Sequence, residues 1–148
     1  MFLFHQLYFD KWLTLFDEGY SILLNGLGSK RNLMQSFHSK KLENQHVLVV
    51  NGFFPSLTVK DILENVAKDF LEMTNTSSNL HDVVDMIAAE MKKYPGLRIF
   101  LMIHNLDGGM LRNEKAQHVL SRLSAIERIH LIATIDHVNA PLSEYLFF

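Results

Sequence analysis

Four short apolar runs punctuate this chain: residues 20–25, Val47–Val50, Arg98–Ile103 and Ile129–Ile135. Each is four to seven residues long, rich in Ile, Leu, Val and aromatics, and too short for a buried helix. Stretches of helical period lie between them. Alternating strands and helices of these lengths imply right-handed βαβ crossovers, hence a parallel sheet covered on both faces. Val47-Leu48-Val49-Val50 is apolar enough to read as a strand buried on both sides.

The helices are legible in the same way. Phe9, Trp12, Leu13, Leu15 and Phe16 predict an amphipathic helix over residues 6–17, with Trp12 anchored on the sheet and Gly19 ending it. A short basic helix is expected from Lys30 to Lys41. Thr58, with Asp61 three residues on, is a near capping box. Val59, Ile62, Leu63, Val66, Ala67, Phe70 and Leu71 then form one continuous apolar stripe. Asn79 caps a helix with Leu80, Val83, Val84, Ile87 and Met91 on its inner face, stopped by Pro95-Gly96. Another spans Arg112 to Leu123.

With 148 residues, 48% of them hydrophobic and 20% charged, the chain is one domain's worth of protein, or a fragment of one, long enough for a real core and not a disordered tail. The absence of cysteine removes disulfides, thiolate catalysis and Cys-based zinc sites. A net charge of −2 supplies no global field for nucleic acid, so any such contact must be local. No apolar stretch approaches the roughly 18 residues of a membrane span, and no partner membrane is expected.

Ligands of open α/β sheets bind beyond the C-terminal ends of the strands. The loops there are residues 25–31, 51–57, 104–109 and 136–141. The first resembles a phosphate-binding loop, G-x-x-x-x-G-K-[ST], whose backbone N–H groups, lysine and hydroxyl hold the phosphates and Mg²⁺. Here Asn25 replaces the first glycine, Lys30 the last, Arg31 the lysine and Asn32 the hydroxyl, leaving Gly26, Gly28 and Ser29. The dinucleotide fingerprint also fails, because Arg31 stands at its third glycine. An ATPase of this design ends its third strand in Asp or Asp-Glu. This chain has His104-Asn105, with Asp107 two residues further on. Two separate parts of nucleotide chemistry are degenerate, and no bound cofactor is expected.

A rival reading joins His104, Asp107, Asp136 and His137 into a metal site for a hydrolase, since His and carboxylate ligate divalent ions. No HxH, HxxxH or HExxH spacing supports it. The other histidines (5, 38, 46, 81, 118 and 130) read as surface or strand-end residues. Between Glu18 and Glu43 there are four basic residues, Lys30, Arg31, Lys40 and Lys41, and no acid. They form a candidate contact for a phosphate backbone or an acidic partner.

Several blocks together resemble one family. They are Phe9-x-x-Trp12 leading into Gly19-Tyr20-Ser21-Ile22-Leu23-Leu24-Asn25-Gly26-Leu27-Gly28-Ser29-Lys30-Arg31, then Val50-Asn51-Gly52-Phe53-Phe54-Pro55, Phe100 through Asp107, and Ile132 through Leu142. In order and spacing, the chain is similar to the second subunit of the eukaryotic origin recognition complex. The resemblance implies an AAA+-like, RecA-type domain over residues 1–148: a degenerate P-loop fold without ATPase activity and with sheet order 5-1-4-3-2. It implies Asp136 at the sensor-1 position. Its partners would be the sibling subunits, the third above all, and origin DNA, in the nucleus during replication initiation. Only four strands are expected here, without the fifth strand, lid or winged-helix domain of the family. An edge of the first strand left uncovered would then invite self-association.

Overall fold

The computed structural model describes residues 2–25, 30–109 and 111–135, with backbone alone at 2–7, 25, 30 and 31. Helix α1 (Phe2–Asp17) leads into β1 (Ile22–Asn25), α2 (Lys30–Lys41) and β2 (His46–Asn51). Helix α3 (Val59–Asn65) continues into a π-helical turn at Val66–Phe70, and α4 (Leu80–Met91) follows. Strand β3 (Ile99–His104), α5 (Glu114–Ser124) and β4 (Ile129–Ile135) complete the described order. The four strands are parallel in the order β1-β4-β3-β2. That order is the 1-4-3-2 portion of the arrangement the resemblance implies.

The period of two along each strand divides the core into two layers. On one face Phe100, Met102, Ile132 and Ile22 meet Phe9, Trp12 and Phe16 of α1 and Met34 and Phe37 of α2. Trp12 packs in this layer, its ring 5.1 Å from that of Phe37 on α2. On the other face Ile99, Leu101, Ile103, Leu131 and Ala133 pack under α3, α4 and α5. Ion pairs tie the first layer together at its rim, Lys41 to Asp10 and Arg98 to Asp17, each at 2.8 Å.

Capping follows the sequence closely. Thr58 and Asp61 form a full capping box, Thr58 Oγ1 accepting from Asp61 N at 3.2 Å and Asp61 Oδ2 from Thr58 N at 2.9 Å. Asn79 Oδ1 accepts from His81 N and Asp82 N. The last helix starts at Glu114, capped by Asn113 Oδ1 on Ala116 N.

Two expectations need correction and a third is narrowed. The stripe from Val59 to Leu71 is not one α-helix: its last turn widens to π geometry and closes through Met73 N on Ala67 O, with Glu72 left-handed at φ 53°. Strand β2 is not buried on both faces. It is an edge among the described strands, and Val49 is 51% exposed. His130 lies near the start of β4, as the strand-end reading has it, but it is not on the surface. It is buried between Phe16 and Phe100, with ring centroids 5.3 and 5.0 Å away. Its position, two residues before Ile132 on the strand, turns it toward α1.

Candidate functional site

The C-terminal ends of β2, β3 and β4 converge on a small polar knot. Asn51 and His104 are register partners at the tops of β2 and β3. Beyond them the two loops touch backbone to backbone: Gly52 N donates to His104 O at 2.7 Å. A Cβ on Gly52 would sit 2.1 Å from Asn105 O, and one on Gly108 only 2.0 Å from Gly52 O. Both positions require glycine because no side chain fits between the loops.

Asn105 is the centre of this knot. Its backbone is left-handed at φ 61°, a conformation Asn tolerates better than most residues. Its N–H donates to Thr134 Oγ1 at 3.0 Å, and the next N–H, of Leu106, to Thr134 O at 2.8 Å. Its side-chain Nδ2 donates to Asn51 Oδ1 at 3.1 Å, and that same oxygen accepts from Phe53 N at 3.0 Å. Three strand ends are thus pinned by one asparagine. His104, Asn105, Asp107 and Thr134 are all buried.

This is the place where a RecA-type ATPase presents carboxylates to Mg²⁺ and the attacking water. The group present at Asn105 is neutral and spends its amide N–H on Asn51. It offers no anionic oxygen, and His104 beside it offers none either. These two positions do not fit a magnesium–nucleotide complex.

The other sequence candidates divide as follows. Gly26, Gly28 and Ser29 lie outside the described residues, as do Asp136 and His137. Of the proposed metal quartet, His104 and Asp107 are described and buried. Among the described residues no three His, Asp or Glu are arranged to share a metal. Lys30, Arg31 and Asn32 begin α2, while Lys40 and Lys41 end it, about 15 Å away at 1.5 Å per residue. The four bases therefore sit at opposite ends of one helix. Lys41 pairs with Asp10, and Lys40 beside it is exposed.

Asn51, Gly52 and Gly108 lie in loops that the sequence marks, 51–57 and 104–109, but their pairing is not legible there, and Thr134 was not singled out. A polar Thr in the otherwise apolar run Ile132–Ile135 was the available signal for one of them. A close backbone approach leaves no signature beyond the glycines themselves.

Away from the knot, Arg98 Nε lies 3.3 Å from His130 Nε2 and its guanidinium pairs with Asp17. Burial first, and the Arg98 charge second, push His130 down to about 4, against a smaller opposing pull from Asp17.

Fold and site together define a RecA-like α/β domain whose third strand ends in His104-Asn105, with no acid at either position. Residues 1–143 match the family model of the origin recognition complex subunit 2 RecA-like domain, and the chain belongs to that family. It is 54% identical over 138 residues to origin recognition complex subunit 2 of Drosophila melanogaster, covering 93% of this chain and 22% of that protein. The chain thus spans about a fifth of the length of that relative. A solved structure of the Drosophila complex bound to DNA contains a chain that superposes with a TM-score of 0.86 at 54% identity, over 93% of this chain and 78% of that one. The Aeropyrum pernix ORC1 protein, solved in complex with DNA, shares the fold alone: TM-score 0.62 at 11% identity, over 96% of this chain and 43% of that one.

Proposed function

We propose that this domain serves as a non-catalytic, RecA-like module of an origin recognition complex subunit, working through surfaces in the nucleus at replication origins. The observation that carries the reading is Asn105, a neutral side chain just beyond the third strand whose hydrogen bonds brace three strand ends. Membership in the subunit 2 family supports the assembly role, and the Drosophila relative is solved within a complex on DNA. The proposed partners are therefore the sibling subunits, the third in particular, and origin DNA. No helix among the described residues is long and apolar enough to cross a membrane.

The basic helix is the proposed contact. Lys30 and Arg31 occupy the first turn of α2, where no acid is present and the helix dipole already concentrates positive charge. Lys40 lies at the far end of the same helix, next to Lys41 with its Asp10 pair. Co-purification of the full-length subunit from nuclear extract tests the reading, with sibling subunits identified by mass spectrometry as the expected result. Their absence would overturn it. Reversal of Lys30, Arg31 and Lys40 to Glu is expected to weaken DNA retention by the assembled complex, and unchanged retention would remove α2 from the account.

A further inference from the structure

The outer edge of β2 is built as an acceptor for one more strand. In a parallel ladder the N–H and C=O of one residue face one neighbour, and those of the next residue face the other side. Gly52 N–H points at β3, so His46, Leu48 and Val50 share that direction while Val47, Val49 and Asn51 face outward. Asn51 O takes the Phe54 N–H at 3.3 Å. The outward groups of Val47 and Val49 meet no backbone partner among the described residues.

Natural sheets guard such an edge with lysine, proline, a bulge or a very short strand. Strand β2 has none of these. His46–Asn51 contains no charged lysine or acid, no proline and no glycine, and its register with β3 runs unbroken through six pairs. Exposed apolar side chains continue the edge: Val49 at 51%, Phe53 at 55% and Phe54 at 62%. The Asn51, Gly52 and Asn105 contacts fix the loop that carries the two phenylalanines, so their presentation costs little ordering entropy.

We infer that an extended, largely uncharged segment of a sibling subunit adds to β2 as a further strand, with apolar side chains over Val49 and the Phe53–Phe54 tip. The small apolar tip suits an extended segment better than a globular face, whether of a sibling or of a second copy. The two phenylalanines expose roughly 200 Å² between them, given about 150–250 Å² for a whole aromatic side chain. A stable globular partner needs about 800 Å² from each side. Strand addition makes up the difference with main-chain hydrogen bonds, and takes specificity from alternate side chains. The partner's origin in a sibling subunit rests on the function proposed above, whereas the open edge does not.

Hydrogen–deuterium exchange on the full-length subunit, free and reconstituted with its siblings, tests the inference. The Val47 and Val49 amides are expected to slow about 100-fold on assembly, while the Leu48 and Val50 amides are protected in both states. Val49→Pro removes one outward donor without touching the β3 ladder, and Val49→Lys introduces a guard at an exposed position. Both are expected to abolish the protection of Val47. A subunit that assembles with Val47 and Val49 unprotected, or with both variants behaving as wild type, overturns strand addition and leaves the proposed function standing. A subunit that fails to assemble at all overturns both. Equal protection in the free protein at concentrations where it dimerises would assign the edge to a second copy, against the inference.

Discussion

Gly52→Ala should be among the most damaging single-methyl changes in this domain. The added Cβ would stand 2.1 Å from Asn105 O and 3.2 Å from His104 O, both backbone atoms fixed by the sheet. Restoring ordinary contact requires the two loops to separate by about 1 Å, since overpacked sites relax only by backbone shifts. That separation breaks the Gly52–His104 bond of 2.7 Å and strains the Asn105–Asn51 bond of 3.1 Å. At roughly 1 kcal/mol for each bond, plus about 1–3 kcal/mol of overpacking strain, the loss is about 3–5 kcal/mol. Urea unfolding measures it, and with a slope of about 2 kcal/mol per molar the midpoint should fall by about 2 M. Two other glycines separate space from backbone conformation. Gly96→Ala meets nothing within 4 Å and should stay within about 0.5 kcal/mol of wild type. Gly19→Ala also meets nothing, but at φ 91° it should cost about 1 kcal/mol through the backbone alone. A Gly52→Ala midpoint equal to that of Gly96→Ala would refute the close approach of the two loops.

Asn105→Asp restores an acid where an ATPase carries one, yet it replaces a donor by an acceptor facing Asn51 Oδ1. It should lower stability by about 2 kcal/mol and confer no nucleotide turnover; gain of turnover in a phosphate-release assay would contradict the structural role given to Asn105. His130, pushed down to about 4, binds its proton in the unfolded chain near 6.5 but in the folded chain only near 4. Its effect is therefore absent above pH 6.5, and stability is lost as the pH falls from 6.5 to 4, by at most about 3 kcal/mol at 1.36 kcal/mol per pH unit. Urea midpoints at pH 7 and 4.5 should converge in His130→Gln; an unchanged pH dependence would remove His130 as its source.

Much of the fold was legible in residues because its signals are local. Hydrophobic runs of strand length marked β3 and β4, and Thr58-Asp61 and Asn79 marked helix starts by side chains that reach only three residues. The π turn at Val66–Phe70 was not legible, since its apolar stripe continues the α pattern without interruption. The exposure of β2 was hidden for a different reason. An edge strand and a central strand carry the same valines, and only the order of strands, set by long-range pairing, decides which face meets water. His130 was legible as a strand-end residue, but nothing local showed that Phe16 and Phe100 would bury it. The knot was half legible. His104-Asn105 revealed a lost acid, but nothing local showed that Asn105 would bind Asn51, 54 residues earlier, or that Gly52 and Gly108 would leave no room between them.

Calorimetric titration with Mg-ATP tests the central claim most directly, that this RecA-like domain acts through its surfaces and not through nucleotide turnover. With Lys30 at the last glycine of the loop, Arg31 at its lysine and His104-Asn105 in place of acids, no saturable heat is expected. A micromolar Kd that Arg31→Ala abolishes would contradict the account.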